Sequence, residues 1–219
     1  MVGARIVYIT NIARKYSNMH EALGDLQKGR LAGNPSEVIL LDKTASWSPA
    51  WEEKLGSADL VLIRYMGKTV STRFLKFCSR YLKFRRIPFY IEAPGSLEGI
   101  ELFLLNGQAA RQLKEYSFLG GPENLRNFWL YGMSLFDSSV QDVEKPKKMV
   151  WAGIYHPRMK GRYMADLSAY LAQFCKPGRP TIGILFYRNE WLSNDTAYLD
   201  ALIEEIERRD ANVVAVFSN

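Results

Sequence analysis

Residues 58–67 read ADLVLIRYMG, a nearly continuous apolar run, too short for a packed helix and fenced by Gly56-Ser57 before it and Gly67 at its end. A strand that is apolar on both of its alternating sides belongs in a parallel sheet covered on both faces. Three more runs of the same kind surround it: ARIVYIT (4–10), EVILLD (37–42) and IPFYIEA (87–93). Between them lie helical patterns. The first runs from Met19 to Leu31 and is stopped by Gly33-Asn34-Pro35. The second covers Trp47 to Leu55, with Ser48 suited to an N-cap and Pro49 to the first helical position. The third, Ser71 to Phe84, is amphipathic. Strands alternating with helices close right-handed crossovers. Residues 1–100 are therefore expected to form an α/β domain, doubly wound around a mainly parallel, flavodoxin-like sheet.

The pattern changes after Pro94. Helical periodicity runs from about Glu101 to Tyr116 and from Pro122 to Phe136, separated by Leu119-Gly120-Gly121-Pro122. The polar stretch DSSVQDVEKPKK (137–148) reads as a boundary, and MVWAGIYHP (149–157) returns to strand character. Arg162 to Phe174 is again helical. Residues 101–176 are accordingly expected to be a helical connecting region with a strand near 149–155. Beyond the breaker Lys176-Pro177-Gly178-Arg179-Pro180, residues 177–219 give PTIGILF (180–186), a polar loop, a helix carrying Leu199, Leu202, Ile203 and Ile206, and ANVVAVF (211–217). This is the opening βαβ unit of a second α/β domain. Two strands and one helix cannot cover themselves, so a truncated sheet that continues beyond this fragment is expected.

Composition narrows the function classes. Of 219 residues, 47% are apolar and 24% charged, the balance of a globular chain with a real core. Charged or polar residues interrupt every apolar run before bilayer length, so no membrane span is expected. The N-terminus lacks the features of a secretory signal, and a cytoplasmic location is expected. Cys78 and Cys175 lie in separate helical patterns and read as reduced thiols, which excludes a CxxC-type zinc site. The net charge of +6 is concentrated: between Asp59 and Glu92 stand eight basic residues and no acid. They are Arg64, Lys68, Arg73, Lys76, Arg80, Lys83, Arg85 and Arg86. This patch, 64–86, fits a binding module for an acidic partner. It fits better the solvated face of a helix whose other face carries Phe74, Phe77, Cys78, Tyr81 and Leu82, and no nucleic acid is expected.

Familiar catalytic motifs are missing. TNIARKY (10–16) stands where a glycine-rich phosphate loop would follow the first strand, which disfavours a Rossmann or flavin site, and no P-loop, nucleophile elbow or HExxH is present. Two places remain. Tyr155 and His156 end a strand, where ligands of α/β proteins gather; His156 is a weak metal-ligand candidate or a hydrogen-bonded boundary residue. Arg188, Trp191, Asn194 and Asp195 lie on the loop after the next strand. Arg188 and Trp191 there fit either an anionic planar ligand or core packing.

LGGPENLRNFWLYG (119–132), GIYHP (153–157) and RPTIGILFYRNEWLSNDTAYLDALIEEIERRDANVVAVFSN (179–219) occur in this order. Together they resemble the large subunit of ATP-dependent cobaltochelatase (CobN) and its relative, the H-type large subunit of magnesium chelatase. The resemblance covers roughly residues 90–219. It implies the N-terminal part of a much longer tetrapyrrole-binding protein, a ligase that forms nitrogen–metal bonds in cobalamin biosynthesis. An AAA+ ATPase subunit and a second small subunit would be its partners. ATP with Mg would sit on the partner, so this fragment would bind no cofactor; a divalent metal, cobalt favoured, would be substrate. Catalytic residues would lie outside the fragment, leaving it inactive alone. His156 points to the cobalt branch, where the magnesium branch tends to have Ser; magnesium insertion into a porphyrin is the alternative. Asp210 replaces a Gly usual after the helix, a place that wants the left-handed conformation.

Overall fold

The computed structural model describes residues 3–42, 45–66, 72–93, 99–159 and 163–218. They form two compact units, Met1–Lys147 and Lys148–Asn219.

The first unit is an α/β sandwich around five strands in the order β2-β1-β3-β4-β5: β1 (Ile6–Thr10), β2 (Glu37–Leu40), β3 (Leu60–Arg64), β4 (Phe89–Ala93) and β5 (Gly99–Phe103). The first four are parallel, and their order is that of flavodoxin-like sheets. As the continuous apolar runs foretold, both faces are buried. Ile6, Tyr8, Leu60, Leu62 and Tyr90 pack with α1 (Ala13–Gln27), α4 (Gly107–Leu119) and α5 (Pro122–Ser134). Val7, Ile9, Val61, Ile63, Phe89 and Ile91 pack with α2 (Pro49–Leu55) and α3 (Thr72–Phe84).

Three expectations change here. Residues 99–103 form β5, antiparallel to β4, where a helix was expected to start at about Glu101. Phe103 stacks on Phe89, and Glu101 accepts from Ser79 Oγ, which ties the strand to its neighbours in space. The expected connecting region, 101–176, is not a body of its own: α4 and α5 complete the first core, while its later strand joins the second unit. Helix α3 is amphipathic as read, with Phe74, Cys78 and Leu82 buried and Arg73, Lys76, Arg80 and Lys83 exposed. Phe77 of its expected apolar stripe is nonetheless 41% exposed. Arg64 does not share the solvated face, and Lys68 lies outside the described residues. Burial pushes the Cys78 thiol up to about 12, an inert core thiol.

The second unit has a three-stranded sheet, β6-β8-β7, made of β6 (Gly153–Tyr155), β7 (Thr181–Tyr187) and β8 (Asn212–Ser218). β7 and β8 are the expected parallel pair, and β6 adds on antiparallel to β8. Helices α6 (Leu167–Phe174), α7 (Arg188–Leu192) and α8 (Ala197–Arg208) accompany them. Asp210 adopts φ +60°, the left-handed turn expected there, and Arg179 reaches its carboxylate at 2.8 Å. Among the described residues no helix is long and apolar enough to cross a membrane.

Candidate functional site

The two candidates at the end of β6, Tyr155 and His156, are clasped to α8. Tyr155 Oη donates to Asp200 Oδ1 at 2.6 Å and lies 3.1 Å from Thr196 Oγ1. Burial first, and the Asp200 bond second, raise its phenol above the ordinary range, so it stays a neutral donor. His156 is 1% exposed and stacked on Phe174 at 4.4 Å. Its Nδ1 accepts from the Arg158 backbone N–H at 3.2 Å, which assigns the proton to Nε2, 3.2 Å from Glu207 Oε1. Arg158 Nη2 donates to the same Glu207 oxygen at 2.7 Å. Burial outweighs that carboxylate and holds the imidazole below its usual value, in the neutral form. Both ring nitrogens are engaged, so His156 serves as a packed connector between β6 and α8 rather than an open metal ligand. No group of three or more metal-ligating His, Cys, Asp or Glu side chains exists among the described residues.

Arg188 and Trp191 take the packing alternative. The segment expected to be loop begins with α7, whose turn carries both side chains inward. Arg188 is 1% exposed, donates from Nε to the Val150 carbonyl at 2.6 Å, and sits 4.9 Å above the Trp151 ring. Trp191 lies flat on Phe217 at 4.2 Å, with the Tyr163 ring against its edge. Asn194, at φ +55°, and Asp195 form the exposed turn that follows, their backbone N–H groups donating to Trp191 O and Glu190 O. The six candidates thus divide into a clasp on α8, a core pair and a surface turn.

The GGPEN block of the first unit is a clasp of the same kind. Gly120 and Gly121 take φ +66° and +81°, allowing α4 to end and α5 to begin within two residues, and Pro122 occupies the first helical turn. Asn124 donates to the carbonyls of Gly120 and Lys147 at 2.8 and 2.9 Å and accepts from Lys147 N at 2.8 Å. Asn127 accepts from Glu144 N. Together they hold down the chain segment that leaves the first unit.

A set of residues that sequence reasoning passed over meets at the C-terminal ends of β1, β3 and β4. Register pairs Tyr8 with Leu62 and Leu62 with Tyr90, and likewise Thr10 with Arg64 and Arg64 with Glu92, placing Tyr8, Arg64, Tyr90 and Glu92 on one face. Arg64 Nη1 donates to Ser117 Oγ at 3.2 Å, Tyr90 Oη donates to Glu92 at 3.2 Å, and Lys15 Nζ donates to Ser117 O at 2.5 Å. Glu92 lies 3.9 Å from Arg64 and 3.8 Å from Lys114. Burial, with Arg64 adding repulsion, lowers Lys15 to about 7. In the sequence Arg64 stood out only as a member of the basic patch 64–86, and Lys15 only as part of TNIARKY after the first strand. Lys114 and Ser117 stand a hundred positions away, and only α4 packing brings them in.

A flavodoxin-like order in one unit and a small mixed sheet with buried polar clasps in the other define a two-unit α/β protein. Residues 114–219 match the model of the CobN/Magnesium Chelatase family. An uncharacterized protein of Methanocaldococcus jannaschii is 38% identical over 112 residues, 48% of this chain and 9% of that protein. The H-type subunit of the magnesium chelatase of Cereibacter sphaeroides is 24% identical over 240 residues, 99% of this chain and 18% of its own length. Among solved structures, the catalytic subunit of cobaltochelatase from Mycobacterium tuberculosis superposes with a TM-score of 0.58 at 14% identity, over 98% of this chain and 16% of that one. That likeness is one of fold. The chain spans between 9% and 18% of the length of these relatives.

Proposed function

We propose that this chain is the N-terminal part of the large, tetrapyrrole-binding subunit of an ATP-dependent metal chelatase, one that inserts cobalt into a corrin precursor. The observation that carries this reading is the family match over residues 114–219, the segment that holds the GGPEN, GIYHP and ILFYRNEW blocks. In this reading residues 177–219 open a second α/β domain, and the reacting groups lie in the remainder of the large subunit. The GGPEN and GIYHP blocks act as clasps that fix strand and helix ends, and Arg188 and Trp191 of the ILFYRNEW block pack into the core, which suits a scaffold role and an inactive fragment. Partners would be an AAA+ ATPase subunit, carrying ATP with Mg, and a second small subunit, all in the cytoplasm. Divalent metal is substrate.

The test uses the complete large subunit with its two partner subunits. A metal-free corrinoid and Co²⁺ are supplied with ATP, and the absorbance change of the macrocycle is followed. ATP-dependent cobalt insertion is expected. Failure to bind any tetrapyrrole would sink the reading. A second reading, magnesium insertion into a porphyrin, is favoured by the near full-chain similarity to the magnesium-chelatase relative of Cereibacter sphaeroides. The same assay with Mg²⁺ and protoporphyrin separates the two.

A further inference from the structure

The exposed positions of α3 are Arg73, Lys76, Phe77, Arg80, Lys83 and Phe84, which at helical spacing fall in one stripe about 120° wide. Every position of that stripe is a cation or a phenylalanine. Arg85 and Arg86, also exposed, follow the last turn. We propose that this face docks an acidic amphipathic helix of a partner protein. The partner's carboxylates would meet the cations, and its apolar side chains would cover Phe77 and Phe84. Three observations support this. The first is uncompensated charge. Lys83 meets Glu101, but among the described residues Arg73, Lys76, Arg80, Arg85 and Arg86 pair with no acid. Solvated helix faces ordinarily mix the two signs, because like charges at i,i+3 and i,i+4 repel. Here Arg73, Lys76, Arg80 and Lys83 follow one another at that spacing. The second is bare apolar surface within the charge. Phe84 is 83% and Phe77 41% exposed. Two turns separate them, about 10 Å along the axis, with Arg80 between. The third is the helix end. Arg86 takes φ +56°, with its N–H donating to Lys83 O and that of Ile87 to Leu82 O. Glycine makes such a turn with least strain, and arginine in its place adds a cation to the end of the face.

Shape and charge together select the partner. The spacing of Phe77 and Phe84 is matched by apolar residues at i and i+7 of a facing helix, with Asp or Glu between and beside them to meet the cations. The neighbouring helix sets the width. α2 packs on α3 through the rings of Trp51 and Phe74, 4.9 Å apart, and exposes Glu52 and Glu53. A membrane surface or a nucleic-acid duplex broad enough to rest on α3 would bring its phosphates against these two carboxylates. A slender helix laid along α3 clears them. The face lies in the first unit, outside residues 114–219, and does not rest on the chelatase reading.

The test is fluorescence anisotropy of a labelled synthetic helix titrated with the 219-residue chain. The peptide carries leucines seven positions apart, glutamates beside and between them, and alanine elsewhere. Two control peptides replace the leucines by serine or the glutamates by glutamine. Saturable binding of the first peptide is expected, at least about tenfold tighter than either control and weakened by salt. Phe84→Ser and Arg80→Glu should each lower that affinity at least about fivefold, while thermal unfolding midpoints stay put because both side chains are exposed. No saturable binding, or affinity unchanged in either variant, overturns the docking face. Tighter binding to phosphatidylserine vesicles or to a single-stranded oligonucleotide overturns the acidic-helix assignment. So does self-association of the chain in sedimentation that Phe84→Ser abolishes, since a second copy would then be the occupant. Each of these failures leaves the chelatase reading untouched, because that reading rests on residues 114–219.

Discussion

Lys15 is buried, with Arg64 close by, so its ammonium deprotonates far more readily in the folded chain than in the unfolded one. The folded form releases the proton near pH 7, while the unfolded form keeps it to about pH 10. Between these values the unfolded state binds more protons, and stability rises with pH. Unfolding free energy measured by denaturant titration from pH 7 to 8.5 should therefore increase, with a ceiling of about 1.4 kcal/mol per pH unit. Lys15→Met should flatten the profile. Cys78, whose thiol burial raises, bends the curve the other way only at higher pH, where unfolded thiols ionise. His156 acts below this window. Its folded value lies under the ordinary one, so its contribution is lost as pH falls below about 6.5. His156→Ala removes the Phe174 stack and two hydrogen bonds, for an expected loss of about 2–3 kcal/mol in unfolding experiments. Co²⁺ affinity, measured by competition with a chromophoric chelator, should not change, because both ring nitrogens are already engaged.

Among the elements, β6 shows most plainly why a particular residue was needed. Gly153 pairs with Phe217 across the sheet, and the Phe217 ring covers it. A β-carbon there would stand 2.8 Å from Phe217 and 2.8 Å from Tyr163, ring atoms that cannot swing aside as a flexible chain end would. Gly153→Ala should cost about 1–3 kcal/mol, read from the thermal unfolding midpoint. Helix α8 is the partner of the same strand: its Asp200 and Glu207 hold Tyr155 and His156. Sequence periodicity located both elements, since Leu199 and Ile203 lie buried at helical spacing. It could not show that Thr196 begins the helix without a side-chain cap, because its hydroxyl meets Tyr155, forty-one positions away. β5 escapes sequence reading for a related reason. Its residues carry no strong strand pattern, and the strand exists through pairing with β4.

At the scale of the molecule, β7 leaves much apolar surface bare, with Leu185 77% and Tyr187 70% exposed on one side and Ile182 42% on the other. It pairs with β8 alone among the described strands. Such an edge promotes association. Leu185→Lys should reduce concentration-dependent self-association of the chain in sedimentation, while stability changes by no more than about 0.5 kcal/mol. The sequence by itself determined the parallel strands, the sandwich they form and the resemblance to the chelatase large subunits, because buried parallel strands must be continuously apolar and the GGPEN, GIYHP and ILFYRNEW blocks are local words. It also placed the left-handed turn at Asp210. Only the tertiary structure decided that α4 and α5 complete the first core and that Arg188 and Trp191 turn inward. It alone gathered Tyr8, Lys15, Arg64, Glu92 and Lys114 at one sheet edge. The physical reason is that apolar periodicity is written locally along the chain, whereas the partner of a buried charge or hydroxyl is set by which distant elements pack together.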